Sequence, residues 1–245
     1  MMIIRAAILC CILVLYFGEC FAEDFTHDDV IAGAARLYQS RISEAQSRGQ
    51  LDSDSVFIAR VNRIARGLIA RATSDYPVAR TFKWEIHITD ATDESASCMA
   101  GGKLLIGQPY VLKLELNDAE LAMLLSHEIQ HAVLDHNFKE FEEALRRQPG
   151  RKNSTFAELE YAIDHDQSLV VAMRDMDMAQ ENEADLEGLR MAWRAGWPAL
   201  ALAGYFKKLA RVDAMANFDH DDHPAASLRW RNARELAAEL SKITP

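Results

Sequence analysis

Along this chain, apolar residues recur at helical spacing far more often than at strand spacing. Between Asp28 and Ser47, the residues Val30, Ile31, Ala34, Leu37, Tyr38 and Ile42 follow one helical face. Between about Ser53 and Ala72, so do Val56, Ile58, Val61, Ile64, Leu68 and Ile69. Tyr76-Pro77 ends that second helix, because the proline ring crowds the residue before it out of the helical region. The segment "TFKWEIHIT" (81–89) then alternates, with Phe82, Trp84, Ile86 and Ile88 on one side and Lys83, Glu85, His87 and Thr89 on the other. That is the period of a half-buried strand, and it makes His87 a surface residue. "AGGKLLIG" (100–107) predicts a Gly-Gly turn and a second short strand. A helix follows from Asn117, whose side chain and that of Glu120 form a capping-box pattern, with Leu121, Leu124, Leu125, Ile129, Ala132 and Val133 as a broad apolar face. Residues 137–176 predict two helices broken at "QPGRKN" (148–153), and another covers about 179–194 and stops at "AGWP" (195–198). Two more occupy about 199–210 and 225–241. The expectation is an α+β chain, mostly helical with a small β-sheet and no linker.

The first residues depart from this pattern. Arg5 precedes an apolar run from Ala6 to Phe17, and Cys20 and Ala22 stand three and one before a cut after Ala22. Residues 1–22 therefore read as a secretory signal peptide and residues 23–245 as one domain. The run is short for a bilayer span, though a retained anchor is the alternative. Glu19 argues against a lipid-anchored start at Cys20. The cut would remove Cys10, Cys11 and Cys20 and leave Cys98 alone, so no internal disulfide is expected, and stability must come from a core, a metal or both. No later stretch is apolar enough to cross a membrane, which predicts a soluble mature protein outside the cytoplasm. The net charge of −10, with no basic face, argues against nucleic acid as a partner.

The candidate chemistry lies in "SHEIQHAVLDH" (126–136). Residues four apart on a helix lie one above the other, so His127 and His131 can offer two imidazoles to one zinc ion. Glu128, beside the first, can reach a water on that metal and act as its base. A catalytic zinc needs a third protein ligand and an open position. One arrangement puts a histidine six residues after His131 with a glycine between, but here those positions are Asn137 and Leu134. His136 is one residue early and reads as a supporting residue. The other arrangement takes a glutamate from a later helix. Glu183, Glu187, Arg190 and Arg194 form a ladder of acids before bases, as on a solvated face. Glu181, Asp185, Gly188, Leu189 and Ala192 share a stripe that is mostly small or apolar, where carboxylates need partners. Glu181 as ligand and Asp185 as acceptor for a ligand imidazole would satisfy both, with Glu183 the alternative ligand. Gly188 would let another helix approach closely.

"ELAMLLSHEIQHAVLDH" (120–136), "ENEAD" (181–185), "HPAASLR" (223–229) and "CMAGGKLLIG" (98–107) together resemble zinc metallopeptidase family forty-eight, most nearly its BepA- and LoiP-type periplasmic proteases. The resemblance spans about Trp84 to Arg234. It implies a zincin-like (gluzincin) metalloprotease domain with one Zn2+ per chain on His127, His131 and Glu181. It further implies Glu128 as the base, Asp185 behind a ligand histidine, His223 as a group able to occupy the open position, and Arg229 close to the site, with His223 and Arg229 as catalytic candidates that gate the site or stabilise the oxyanion. Protein or peptide substrates follow, including misfolded envelope proteins in the periplasm of a Gram-negative cell. The alternative is a zinc-bearing chaperone-like or binding module whose site His223 closes. Residues 95–98 differ from the family's polar substrate-binding strand. The charged stretch 139–174 is expected as a solvated helical hairpin, with a lid over the cleft as the alternative. His220 is a weaker site candidate than His223, Cys98 is expected to pack, and the Met173–Met178 cluster is expected as core or cleft lining rather than a metal site.

Overall fold

The computed structural model describes residues 25–220 and 223–244. The signal peptide expected over residues 1–22, with Cys10, Cys11 and Cys20, lies outside the described residues. The chain runs through helices α1 (His27–Ser47) and α2 (Ser55–Asp75), then strands β1 (Glu85–Thr89), β2 (Ala96–Met99) and β3 (Lys103–Gly107). Helices follow to the end: α3 (Gln108–Lys113), α4 (Asp118–Val133), α5 (His136–Arg147), α6 (Phe156–His165), α7 (Gln167–Arg194), α8 (Ala199–Leu202), α9 (Gly204–Val212) and α10 (Ala226–Leu240). The mostly helical α+β expectation holds. No described helix is long and apolar enough to cross a membrane.

Side chains that accept the first free amides set several of the helix starts. Asn117 accepts from the amides of Ala119 and Glu120, while Glu120 reaches back to the Asn117 amide, the capping box read from the sequence. Asp54 and Asp166 cap α2 and α7 in the same way. The Asp166 cap explains a departure. The sequence reading breaks the chain between Met176 and Ala179, but α7 is one continuous helix of 28 residues. No glycine, proline or cap interrupts it there. Two elements, β2 and α3, are too short to show a period in the sequence, although β2 falls where the family resemblance sets a substrate-binding strand. The predicted 199–210 helix is instead two, parting at Ala203. There α9 begins at Gly204, where a Cβ would come within 2.8 Å of the Glu120 carboxylate.

In the sheet, β3 is central, paired parallel with β1 and antiparallel with β2. Gly101 and Gly102 turn β2 into β3 with φ of +79° and +81°, which side-chain-bearing residues rarely adopt. β1 is shorter than predicted, and Thr89, expected on the solvent side, is buried. Its hydroxyl accepts from the Ala91 amide, which satisfies it inside.

The core forms around α4, of whose 16 residues 13 are buried, so its polar side chains must find partners inside the protein. It packs against α2, α7, α8, α9 and β2. The contact with α7 is the tightest. A Cβ on Gly188 would lie 3.1 Å from the backbone Cα and N of His127, and the Ser126 hydroxyl donates to the Gly188 carbonyl at 2.7 Å. A second apolar cluster joins α1 to α5, α6 and the first half of α7 through Val30, Tyr38, Phe141, Phe156, Leu159 and Met173. The stretch 139–174 is therefore not a solvated hairpin: one face of each of its helices is buried core. Charged residues on the outer faces hid that pattern.

Replacing Gly188 by alanine should lower stability. The helix-propensity gain is about 1 kcal/mol, whereas overpacking against backbone costs about 1–3 kcal/mol. Chemical denaturation should show a net loss of about 1 kcal/mol; a more stable variant would mean that α4 and α7 can part freely.

Candidate metal centre

The four-residue spacing on α4 turns the Nε2 atoms of His127 and His131 toward each other, 3.2 Å apart. The close passage of α7 at Gly188 lays the two turns before it over the same point. Glu181 Oε1 lies 3.2 Å from His131 Nε2, and Oε2 lies 3.5 Å from His127 Nε2. Glu183, two residues on, stands instead 3.2 Å from Nε2 of His136, with its side chain half exposed. The expected ladder along α7 is only partly present. Glu187 pairs with Arg190 at 2.7 Å, while Arg194 reaches across to Asp75 at 2.8 Å.

The other nitrogen of each imidazole also faces a polar group. Nδ1 of His127 lies 2.9 Å from Oδ1 of Asp185, close enough for an ion pair but without the alignment of a hydrogen bond. Arg229 grips both Asp185 oxygens, donating from Nε and Nη2 at 2.7 Å each. Nδ1 of His131 lies 3.2 Å from Nδ1 of His136. His136 reaches this place because Asp135, at φ +65°, breaks the helix and starts α5 in a new direction. Burial, with the His131 charge beside it, pushes the His136 pKa down to about 3, so this ring is neutral. Its Nε2–H then serves Glu183, and its Nδ1 accepts from His131.

By this bonding logic both zinc-candidate histidines present lone pairs at Nε2, with the Glu181 carboxylate beside them. Such groups repel one another unless a cation or a proton lies among them. The demand for positive charge shows in the titrations. Burial alone would lower the His131 pKa, but the hydrogen-bonded Glu181 carboxylate lifts it to about 9. Burial would raise the Glu181 carboxyl, yet His127, His131 and His223 hold it well below the usual range. Oε2 of Glu181 is buried without a hydrogen bond. One ligand atom from each of His127, His131 and Glu181 lies within 4.8 Å of the others. Two imidazoles and a carboxylate are a donor set suited to zinc, and the residues fit that metal.

Glu128 and this cluster line a cleft of about 510 Å³. Burial raises the Glu128 carboxyl, and the neighbouring His127 and His131 only partly offset it. His223 stands at the same cleft, its Nε2 3.2 Å from Glu181 Oε2. His220 faces the cleft too, but Asp213 holds it at 2.9 Å and it does not join the cluster. His87 bonds to Asp52 and Glu85 and takes no part. Cys98 is 4% exposed and packs against the core as expected, its thiol pushed up by burial.

Several cleft residues carried no signal in the sequence. Glu140 on α5 and Glu160 on α6 line it, and burial pushes their pKa values up to about 8 and about 7. Tyr110 on α3 and Tyr205 on α9 line it as well. All four became site residues only when packing brought their helices together.

The model of peptidase family M48 matches residues 58–237, well over half of the chain. No curated protein matches it.

Two outcomes follow. Replacing His136 by phenylalanine removes the acceptor that orients His131, so zinc affinity in a metal-buffered titration should fall about 10–100-fold; unchanged affinity would show that His131 needs no such support. Glu140 binds its proton more tightly in the folded chain than in the unfolded one. Its burial therefore costs nothing below the ordinary carboxyl pKa of 4.5, and destabilises increasingly as pH rises toward about 8. In metal-stripped protein, Glu140→Gln should raise the Tm at pH 9 and leave it unchanged at pH 4; equal effects at both would contradict the assignment.

Proposed function

The chain belongs to peptidase family M48 and is a zinc metallopeptidase, and from that premise we propose that residues 23–245 form one catalytic domain, a gluzincin-type endopeptidase of the Gram-negative periplasm. The observation that carries the reading is the meeting of His127, His131 and Glu181 beside Glu128 on one cleft. Zinc held by those three, one per chain, would supply the Lewis acidity that acidifies water and polarises a peptide carbonyl. Glu128 takes the proton of the attacking water and passes it to the leaving amine. Its raised pKa suits a group that must accept a proton and then hold it until the amine departs. Asp185 fixes His127, and Arg229, with Nε and Nη2 engaged, balances the charge of Asp185 and holds it in place.

β2 lies at the edge of the sheet, and Ser95, Ala96 and Ser97 line the cleft beside Glu128. An extended substrate backbone can pair along such an edge. The periplasmic assignment rests on the signal-like pattern of residues 1–22, and the choice of misfolded envelope proteins as substrates rests on the resemblance to periplasmic proteases. His223, within 3.2 Å of Glu181, favours a gating role. The same contact supports a second reading, a zinc-bearing binding module that His223 keeps closed.

Metal content and casein cleavage by the wild type, Glu128→Gln and His223→Ala separate the two. The peptidase reading expects zinc near one per chain in all three. Cleavage should fall about 10²–10⁴-fold in Glu128→Gln and rise in His223→Ala if the histidine is a gate. Zinc retained with no cleavage by any form would favour the binding module.

A further inference from the structure

Tyr110 and Tyr205 have no role in the scheme above, yet both face the cleft that holds Glu128. Their hydroxyl oxygens are 3.2 Å apart, joining α3 to α9. Tyr205 is 4% exposed, its ring set edge-on against Phe206 at 5.2 Å, whereas Tyr110 is only partly buried. The pair owns two hydroxyl protons and makes one mutual hydrogen bond. Neither hydroxyl has another hydrogen-bond partner among the described residues. One proton is therefore left over. A deeply buried hydroxyl must spend its proton inside the protein, so Tyr205 donates to the Tyr110 oxygen. The remaining proton belongs to Tyr110, the more accessible of the two, and is left for a group entering the cleft that Tyr110 lines.

Both rings stay protonated at working pH. Burial raises each hydroxyl, and the nearby Glu128 carboxylate adds to it against the pull of Arg229. The cleft also needs such a donor. When water adds to a peptide carbonyl, negative charge grows on the oxygen, and a preorganised donor there stabilises the transition state more than the ground state. Arg229 has its Nε and Nη2 committed to Asp185.

We propose that Tyr110 is a further catalytic residue, donating a hydrogen bond to the carbonyl oxygen of the bond under attack, and that Tyr205 is the positioning residue that aims it. The proposal rests on the peptidase reading. The hydroxyl keeps its proton throughout, so no bond to hydrogen is broken in this step.

The test compares the full chain, zinc-loaded, as wild type, Tyr110→Phe, Tyr205→Phe and Glu128→Gln, using a casein-derived fluorogenic peptide. Affinity for a phosphinic peptide, an uncleavable mimic of the tetrahedral geometry, and Tm are measured alongside. Loss of one such donor lowers kcat by about 10²-fold. Tyr110→Phe should show that loss with KM nearly unchanged, a matching loss of phosphinic-peptide affinity and a Tm close to wild type. Tyr205→Phe should show a smaller loss of the same kind. If Tyr110→Phe lowers Tm but leaves kcat and phosphinic-peptide affinity as in wild type, the pair is only a tie between helices and the assignment is wrong. If the wild type neither cleaves nor binds the phosphinic peptide, the peptidase reading itself falls, and the tyrosine assignment with it.

Discussion

The centre depends on two helices touching almost backbone to backbone. α4 carries the histidines and α7 the carboxylates, and Gly188 is where they meet against His127. A larger residue there would hold the helices apart. Because Glu181, Asp185 and Gly188 are spaced by four and three residues, one contact fixes all three on one stripe. Glu181 then falls beside both Nε2 atoms and Asp185 beside Nδ1 of His127. The hydrogen bond from Ser126 to the Gly188 carbonyl pins the same crossing.

The second constraint is charge held out of water. Asp185 and Arg229 are 3% and 7% exposed and Glu181 is 8% exposed, so none is hydrated as it would be on the surface. Each is tolerable only because the others are present. Taking one partner from a buried ionic group leaves its neighbours uncompensated, which is costlier than the pair is stabilising. Substitutions at His127, Glu181, Asp185 and Arg229 will therefore not combine additively.

What could be read from the sequence was local or periodic. His127, Glu128 and His131 announce themselves by spacing, and Asn117 with Glu120 marks where their helix begins. Glu181 was separable from Glu183 because a wheel distinguishes a packing stripe from a solvated one, and Gly188 made sense on that stripe. His136 was legible only as a supporting residue, since its position depends on a left-handed Asp135 that no pattern marks. β2 and α3 were too short to show a period. The continuity of α7 was hidden by a run of acids and methionines that reads equally as two segments. Tyr110, Tyr205, Glu140 and Glu160 are ordinary residues in the sequence, and their environment comes entirely from helices distant along the chain.

The arrangement of these parts also bears on when the molecule becomes able to act. The two histidines are on one helix, but Glu181 arrives much later in the chain, and Arg229, which steadies Asp185, comes from α10. While the later helices are still being made, the chain carries its motif without a working centre. The centre is complete only once α7 has packed on α4 and α10 on α7. The cutting activity of the chain is thereby tied to the completion of its own folding.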